Sequence, residues 1–275
     1  MWNRKASEKE REIDRQVHGL VKPATRFRAT KLKPGETLSI TATKFGGAPY
    51  AEAGESWPML GDHPFDFVAQ FNLTEIEEPP TDAYDLFTVF ICWEGLVEDP
   101  ENCCLVRTYE KPSVEKAVEM PRPEAHGQQD YQTQACGVER WRADSYPSPL
   151  GGWEQLPVFE SWPKPPKVCV RSFRDELIQL GSSIKYHWTI GEAGQAYSKS
   201  LRRLGYHWKD GEVTQVGGYP FYVHDATLED DDYFLLAQIA HEPNANFCIG
   251  DAANYLIAAC KSDPTQFWFD AFQTH

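Results

Sequence analysis

The chain has 275 residues, which is enough for one large domain or for two halves that share a core. Its 41 acidic residues outnumber 27 basic ones, which gives a formal charge of −14 and a pI near 5.0. This charge argues against general binding to nucleic acid, because phosphate recognition needs a basic surface. A mean hydropathy of −0.54, with no apolar run of about 18 residues, argues against a membrane-spanning helix.

The first predicted element is a basic helix with its lead-in, over residues 1–35. Ser7 and Glu10 have the spacing of a capping box just before an amphipathic run. Residues 1–36 carry 10 bases and 5 acids (+5), so the rest of the chain carries 17 bases and 36 acids (−19). We therefore expect a short basic arm ahead of a strongly acidic body formed by residues 36–275.

Several segments of the body have the patterns of β-strands. Polar and apolar residues alternate over 37–43, while 66–73 and 86–93 are rich in aromatic and β-branched residues. Residues 96–166 hold ten of the 20 prolines, so we expect long loops there with one or two strands. A helix is predicted over 194–204, and several short strands follow it.

The seven cysteines are odd in number, and none lies in a C-x-x-C pair, so neither a disulfide scaffold nor a zinc knuckle is predicted. Three of them, Cys92, Cys169 and Cys260, lie in apolar stretches and are interpreted as small core residues. Cys103 and Cys104 begin a predicted strand and are interpreted as packing residues. The first residues lack the apolar run of a secretory signal, so we expect a reducing, cytoplasmic location.

A pair of glycines before a proline occurs twice, with the same features after it. Gly46-Gly47-Ala48-Pro49 precedes an apolar strand that contains Gln70, and Gly217-Gly218-Tyr219-Pro220 precedes one that contains Gln238. From the second glycine to the glutamine the spacing is 23 residues in one case and 20 in the other. A further apolar run follows each glutamine after 17 residues. The repeated order indicates an internal duplication.

These features predict an α+β fold with peripheral helices, made of two internally duplicated halves. The repeats span about 43–95 and 213–262 within one domain, with the proline-rich segment 96–166 between them. A buried amide has several hydrogen-bonding positions to satisfy, so we expect each glutamine to bond the backbone at its own turn. A pair of ligand-binding amides is the alternative. The predicted structural motif comprises Gly46, Gly47, Pro49, Trp57, Gln70, Gly217, Gly218, Pro220 and Gln238.

The same segments carry a family resemblance. TKFGGAPY at 43–50 and FVAQFNL at 67–73 resemble the N-terminal signature of the YwqG-like family, a bacterial domain of unknown function. GGYP at 217–220, LLAQI at 235–239 and GDA at 250–252 are similar to its C-terminal signature. The resemblance implies an α+β fold on antiparallel sheets and no established catalysis. It also implies an immunity role for a subset of members, which lie near secreted polymorphic toxin systems.

The densest cluster of chemically active side chains follows the second glycine pair. It joins His224 and Asp225 to four consecutive acids, 229–232. Carboxylates and imidazole suit divalent cations, so one alternative is a metal-dependent or small-molecule enzyme that uses His224, Asp225 and Asp230–Asp232. Adjacent acids also repel one another, and either a basic protein partner or plain solvation would relieve that repulsion. The sequence has no nucleophile elbow and no nucleotide-binding glycine loop.

We therefore expect a non-enzymatic, acidic, cytoplasmic binding protein without cofactor or metal, and without a nucleic-acid or membrane partner. More specifically, we expect an immunity protein that binds and neutralises a basic bacterial toxin such as a nuclease. Acidic loops would steer the toxin in, and buried aromatic anchors would set the dissociation rate. The predicted partner-binding residues are Glu229, Asp230, Asp231, Asp232, Glu242 and Asp251.

Overall fold

The computed structural model describes most of the chain, in eight stretches that belong to two units. The first unit comprises Met1–Leu20 and Pro147–His207, and the second comprises Val21–Tyr146 and Trp208–His275. No helix in the described stretches is long and apolar enough to cross a membrane. The described residues are 7–93, 102–123, 132–148, 156–159, 191–206, 212–222, 232–248 and 254–273.

The described part of the first unit contains two helices, α1 (Glu8–His18) and α2 (Gly191–Arg203). The capping box predicted before α1 is confirmed. The Ser7 hydroxyl accepts a hydrogen bond from the Glu10 N–H at 3.2 Å, and the Ser7 N–H donates to the Glu10 carboxylate at 2.7 Å. These two hydrogen bonds satisfy backbone N–H groups that have no partner within the helix at its start.

Asp14 joins the two helices of this unit. Its carboxylate accepts a hydrogen bond from the Ser200 hydroxyl at 2.5 Å and a forked pair from the Arg203 guanidinium at 2.6 and 2.9 Å. The Arg203 and Ser200 hydrogen bonds outweigh burial and lower the pKa of the Asp14 carboxyl. The helix predicted over 194–204 is confirmed, and it starts three residues earlier than expected.

The second unit is built from antiparallel β-strands. The strands 66–73 and 86–93 expected from their aromatic and β-branched residues are present, as are two strands within 96–166. The strands are β1 Lys22–Lys31, β2 Lys44–Phe45, β3 Met59–Leu60, β4 His63–Pro64, β5 Asp66–Asn72, β6 Leu86–Ile91, β7 Cys104–Tyr109, β8 Cys136–Ser145, β9 Thr214–Gly217, β10 Tyr233–Ile239, β11 Asn254–Cys260 and β12 Phe267–Gln273.

Ten of these strands form one sheet in the order β12-β11-β10-β9-β1-β8-β2-β5-β6-β7, while β3 and β4 pair separately. The two long central strands, β1 and β8, pair from Lys22 opposite Ser145 to Lys31 opposite Cys136. The expected lead-in at 22–31 is therefore a central strand, and its four bases belong to the sheet and not to a helical arm. The α+β class with antiparallel sheets agrees with this arrangement.

The two flanks of the sheet show matching irregularities. The register between β5 and β6 shifts between Phe67 and Ala69, and the register between β10 and β11 shifts between Leu235 and Ala237. In each flank the shift ends one residue before the glutamine of the strand. A bulge bends its strand and increases the local twist, so both flanks bend at the same place relative to that glutamine.

Both flanks contribute to one shared hydrophobic cluster. Phe71 and Phe87 from one flank belong to the same buried cluster as Leu236 and Ile257 from the other. The Phe71 and Phe87 rings lie 5.1 Å apart. Burying each such side chain stabilises the fold by about 1.5–3 kcal/mol, so one face of each flank is committed to this core.

The strand expected over 37–43 is absent. This segment turns back on itself, because the Ala42 N–H donates to the Ser39 carbonyl at 3.1 Å and the Ser39 and Thr41 hydroxyls lie 3.0 Å apart. The carbonyls of Ile40 and Ala42 instead accept hydrogen bonds from a side chain on β5. Serine and threonine side chains compete with a strand ladder in this way, which the alternating pattern does not show.

Candidate functional site

The first glycine pair forms a turn that packs directly onto the segment before β8. Gly46 and Gly47 have φ angles of 53° and 76°, a region that favours glycine. A Cβ atom on Gly46 would lie 2.4 Å from the carbonyl oxygen of Thr133, and one on Gly47 would lie 3.1 Å from the Cβ of Ala135. The turn therefore needs glycine for its backbone conformation and for the close approach of a second backbone.

Gln70 fastens this turn to β5. Its Oε1 accepts a hydrogen bond from the Tyr50 N–H at 2.8 Å, and its Nε2 donates to the carbonyls of Ile40 and Ala42, both at 2.8 Å. The side chain is fully buried. All three bonds are to backbone, as expected for a structural amide, and they fix the chain on either side of Gly46-Gly47.

Gln238 holds the second glycine turn in the same way. Its Oε1 accepts a hydrogen bond from the Phe221 N–H at 2.8 Å, and its Nε2 donates to the Val213 carbonyl at 2.9 Å. Gly218 has a φ angle of 77°, and a Cβ there would lie 2.6 Å from the Cβ of Ser145. Each glutamine thus bonds the backbone at its own turn, as expected from the sequence, and in both cases the donor is the first residue after the proline.

The loop that leaves the first turn begins with a tyrosine tied to an acid. The Tyr50 hydroxyl donates to Glu52 Oε1 at 2.8 Å and accepts from the Ser113 N–H at 3.2 Å. Burial and the Glu52 hydrogen bond raise the pKa of the Tyr50 hydroxyl, so it stays protonated. The loop ends at Trp57, whose indole N–H donates to the Phe65 carbonyl at 2.8 Å.

A second tyrosine fastens the middle of the same loop. The Tyr109 hydroxyl lies 3.0 Å from Glu55 Oε2, and the Tyr109 and Tyr50 rings meet edge to face at 4.8 Å. Arg107 Nη1 lies 3.6 Å from Glu55 Oε1, and its Nη2 donates to the Ser56 carbonyl at 2.8 Å. Sequence reasoning missed this network, although its acids lie a few residues after the glycine turn.

A groove of about 260 Å³ lies where β1 ends and β8 begins. Arg140 Nη1 donates to Glu75 Oε2 at 2.6 Å on its wall. The groove carries charges of both signs, so its chemistry suits a small polar ligand better than an apolar one. Its lining includes Thr30, Lys31, Glu36, Glu75, Gly137 and Arg140.

The structure describes only two of the predicted partner-binding residues. Asp232 is exposed, and its carbonyl accepts a hydrogen bond from the Lys261 N–H at 2.7 Å. Within the described stretches, no three His, Cys, Asp or Glu side chains group as they would around a metal ion. The other predicted residues, and both members of the histidine–aspartate pair, lie outside these stretches: Glu229, Asp230, Asp231, Asp251, His224 and Asp225.

Glu242 is buried, contrary to the expectation that it contributes to a docking surface. Only 5% of the residue is exposed. Its Oε2 accepts from the Ala29 N–H at 2.8 Å, and its Oε1 pairs with the Thr214 hydroxyl at 2.6 Å. Burial raises the pKa of the Glu242 carboxyl, and these hydrogen bonds oppose the rise. Glu242 therefore joins β1 to β9 and is not available to a partner.

Comparison with known proteins gives one finding. A family model described as a domain of unknown function, DUF1963, matches residues 43–271. The match is consistent with the YwqG-like resemblance of the glycine turns and of the strands that contain the glutamines. No curated protein matches the chain.

Proposed function

We propose that this chain, which belongs to the DUF1963 family, is a non-enzymatic acidic binding protein of the cytoplasm. More specifically, we propose an immunity protein that binds and neutralises a basic bacterial toxin such as a nuclease. The body after residue 36 carries a charge of −19, so a cationic partner would be attracted to it from a distance. Such attraction raises the association rate, while buried contacts set the lifetime of the complex.

The observation that carries the proposal is that the chain is hydrogen-bonded in place on either side of acids 229–231. On one side, the Phe221 N–H is held by the fully buried Gln238. On the other side, the carbonyl of the exposed Asp232 is held by the Lys261 N–H. The residues that flank acids 229–231 are therefore held in place, and we propose acids 229–232 as the docking element.

We further propose that the two flanks of the sheet are duplicated halves. The matching glycine turns, the matching glutamine bonds and the bulges one residue before Gln70 and Gln238 support this. In a duplication, the loop with Glu52 and Glu55 corresponds to the loop at 222–232. The first loop is tied down by Tyr50 and Tyr109, and we propose the more strongly charged segment 222–232 as the docking element.

The proposal is tested by co-expression with the product of the neighbouring open reading frame, with growth and complex formation as readouts. Neutralising acids 229–232 together (E229Q, D230N, D231N and D232N) is expected to weaken binding about tenfold or more, mainly by slower association. The matched control neutralises four acids exposed elsewhere on the second unit, and we expect it to weaken binding by less than about twofold. The control changes are E77Q, D82N, E110Q and E119Q.

Raising the salt concentration separates electrostatic steering from other effects. Binding of the native chain is expected to weaken with salt, and binding of the loop variant to weaken less. Absence of both a complex and protection would overturn the immunity function. If the loop variant binds the partner as tightly as the native chain does, the docking surface lies elsewhere on the protein.

A further inference from the structure

The β6–β7 hairpin brings two cysteines face to face. The register of these strands runs from Leu86 opposite Tyr109 to Ile91 opposite Cys104. One step further, Cys92 lies opposite Cys103, and the Cys92 N–H donates to the Cys103 carbonyl at 2.7 Å. A hydrogen-bonded antiparallel pair has its Cα atoms about 5.5 Å apart, which lies within the range that a disulfide spans.

Both side chains lie on the same face of the hairpin. Cys92 and Cys103 are fully buried in one apolar cluster with Trp57 and Phe90, while Cys104 belongs to the core on the opposite face. Both cysteines are reduced thiols in this structure.

We propose that Cys92 and Cys103 are a redox-sensitive pair that forms a cross-strand disulfide with a low-molecular-weight disulfide as oxidant. One protein thiolate attacks the oxidant, forms a mixed disulfide and releases one small thiol. The second protein thiolate then displaces the other small thiol, whose sulfur takes up a proton. Two protein thiols become one disulfide, and one oxidant molecule becomes two thiols. The bond clamps β6 to β7 beside Trp93, whose ring lies 5.9 Å from that of Phe247 on the other flank.

The test incubates the purified chain with oxidised and reduced glutathione over a range of ratios, in urea too dilute to unfold it. In the native chain, the peptides that contain Cys92 and Cys103 are expected to be joined with a loss of about 2 Da from their summed mass, and with no glutathione retained on either cysteine once the second step is complete. Glutamyl cleavage at residues 94, 98 and 101 separates the two cysteines, so their peptides stay joined only through a disulfide. Reduction should then release them.

Two neighbouring variants distinguish this pair from other thiols. C103A should abolish the joined peptides, whereas C104A, which alters the adjacent cysteine on the opposite face, should retain them. The proposal is overturned if the native chain keeps all its thiols at every glutathione ratio. It is equally overturned if C103A still joins the peptides, or if C104A alone prevents the joining. None of these outcomes depends on a toxin partner, so the result is independent of the proposed immunity function.

Discussion

The carboxylate of Glu242 accepts the hydrogen bond from the Ala29 N–H that a neighbouring strand would otherwise accept. The last β1 residue that pairs with β9 is Phe27, opposite Thr214, so Ala29 lies beyond the end of β9. Glu242 accepts the Ala29 N–H at 2.8 Å, and the Asn244 amide donates to the Ala29 carbonyl at 2.8 Å. Side chains of the turn after β10 thus complete the hydrogen bonds of the central strand.

The first prediction concerns the Glu242 carboxylate. E242Q keeps an acceptor for the Ala29 N–H and can donate to the Thr214 hydroxyl, so its free energy of unfolding should stay within about 1 kcal/mol of the native value. E242A leaves the buried Ala29 N–H and the Thr214 O–H without an acceptor and should cost about 2–4 kcal/mol. Urea denaturation at neutral pH measures both. Equal losses in the two variants would contradict a role based on hydrogen bonds.

The second prediction concerns the two buried glutamines. Q70A and Q238A should each lower the free energy of unfolding by about 2–3 kcal/mol, because each leaves a backbone N–H next to a proline without an acceptor. The two side chains share no hydrogen-bond partner among the bonds described, so the double variant should equal the sum within about 0.5 kcal/mol. Q266A, at an exposed turn, is the matched control and should change stability by less than about 0.5 kcal/mol.

These glutamines show how far sequence reasoning reaches. An amide inside an apolar strand, at a similar spacing from a glycine turn in both cases, predicts a hydrogen bond to the backbone of that turn, which the structure contains. The same reasoning failed for β1, because Lys22–Lys31 holds four bases and no pattern shows that a charged segment pairs on both sides. It also failed for Glu242, whose burial depends on where β9 ends. The local sequence pattern thus predicts which groups of a segment need a hydrogen-bond partner. The assembled sheet determines which residues and strands provide it.

The third prediction separates two reasons for glycine. Gly35 has a φ angle of 80°, and no described atom lies within 4 Å of the position that an added Cβ would take, so G35A should cost about 1 kcal/mol through backbone conformation alone. Gly46 has a φ angle of 53°, and its added Cβ would collide with the backbone at Thr133 and Gln134. G46A should therefore cost more than about 3 kcal/mol, measured by thermal and urea unfolding. Similar losses at both positions would show that the close approach is relieved cheaply.

The last prediction concerns a buried lysine on β2. Lys44 is 5% exposed, and its ammonium donates to the Ile40 carbonyl at 3.3 Å, with no carboxylate within 4 Å among the described residues. Burial lowers the pKa of Lys44 from 10.5 to about 8. The unfolded chain then binds more protons than the folded one between pH 8 and 10.5, so the free energy of unfolding should rise with pH across that window.

Replacing Lys44 with methionine removes this effect. K44M should stabilise the chain by up to about 3 kcal/mol at pH 7, and its advantage should shrink as the pH rises from 8 to 10.5. Exposed tyrosines and lysines titrate in the same window, so the measured quantity is the difference between K44M and the native chain at each pH. K33M, at an exposed position, is the control and should show no such trend. A K44M advantage that stays constant with pH would mean that Lys44 titrates normally in the folded chain.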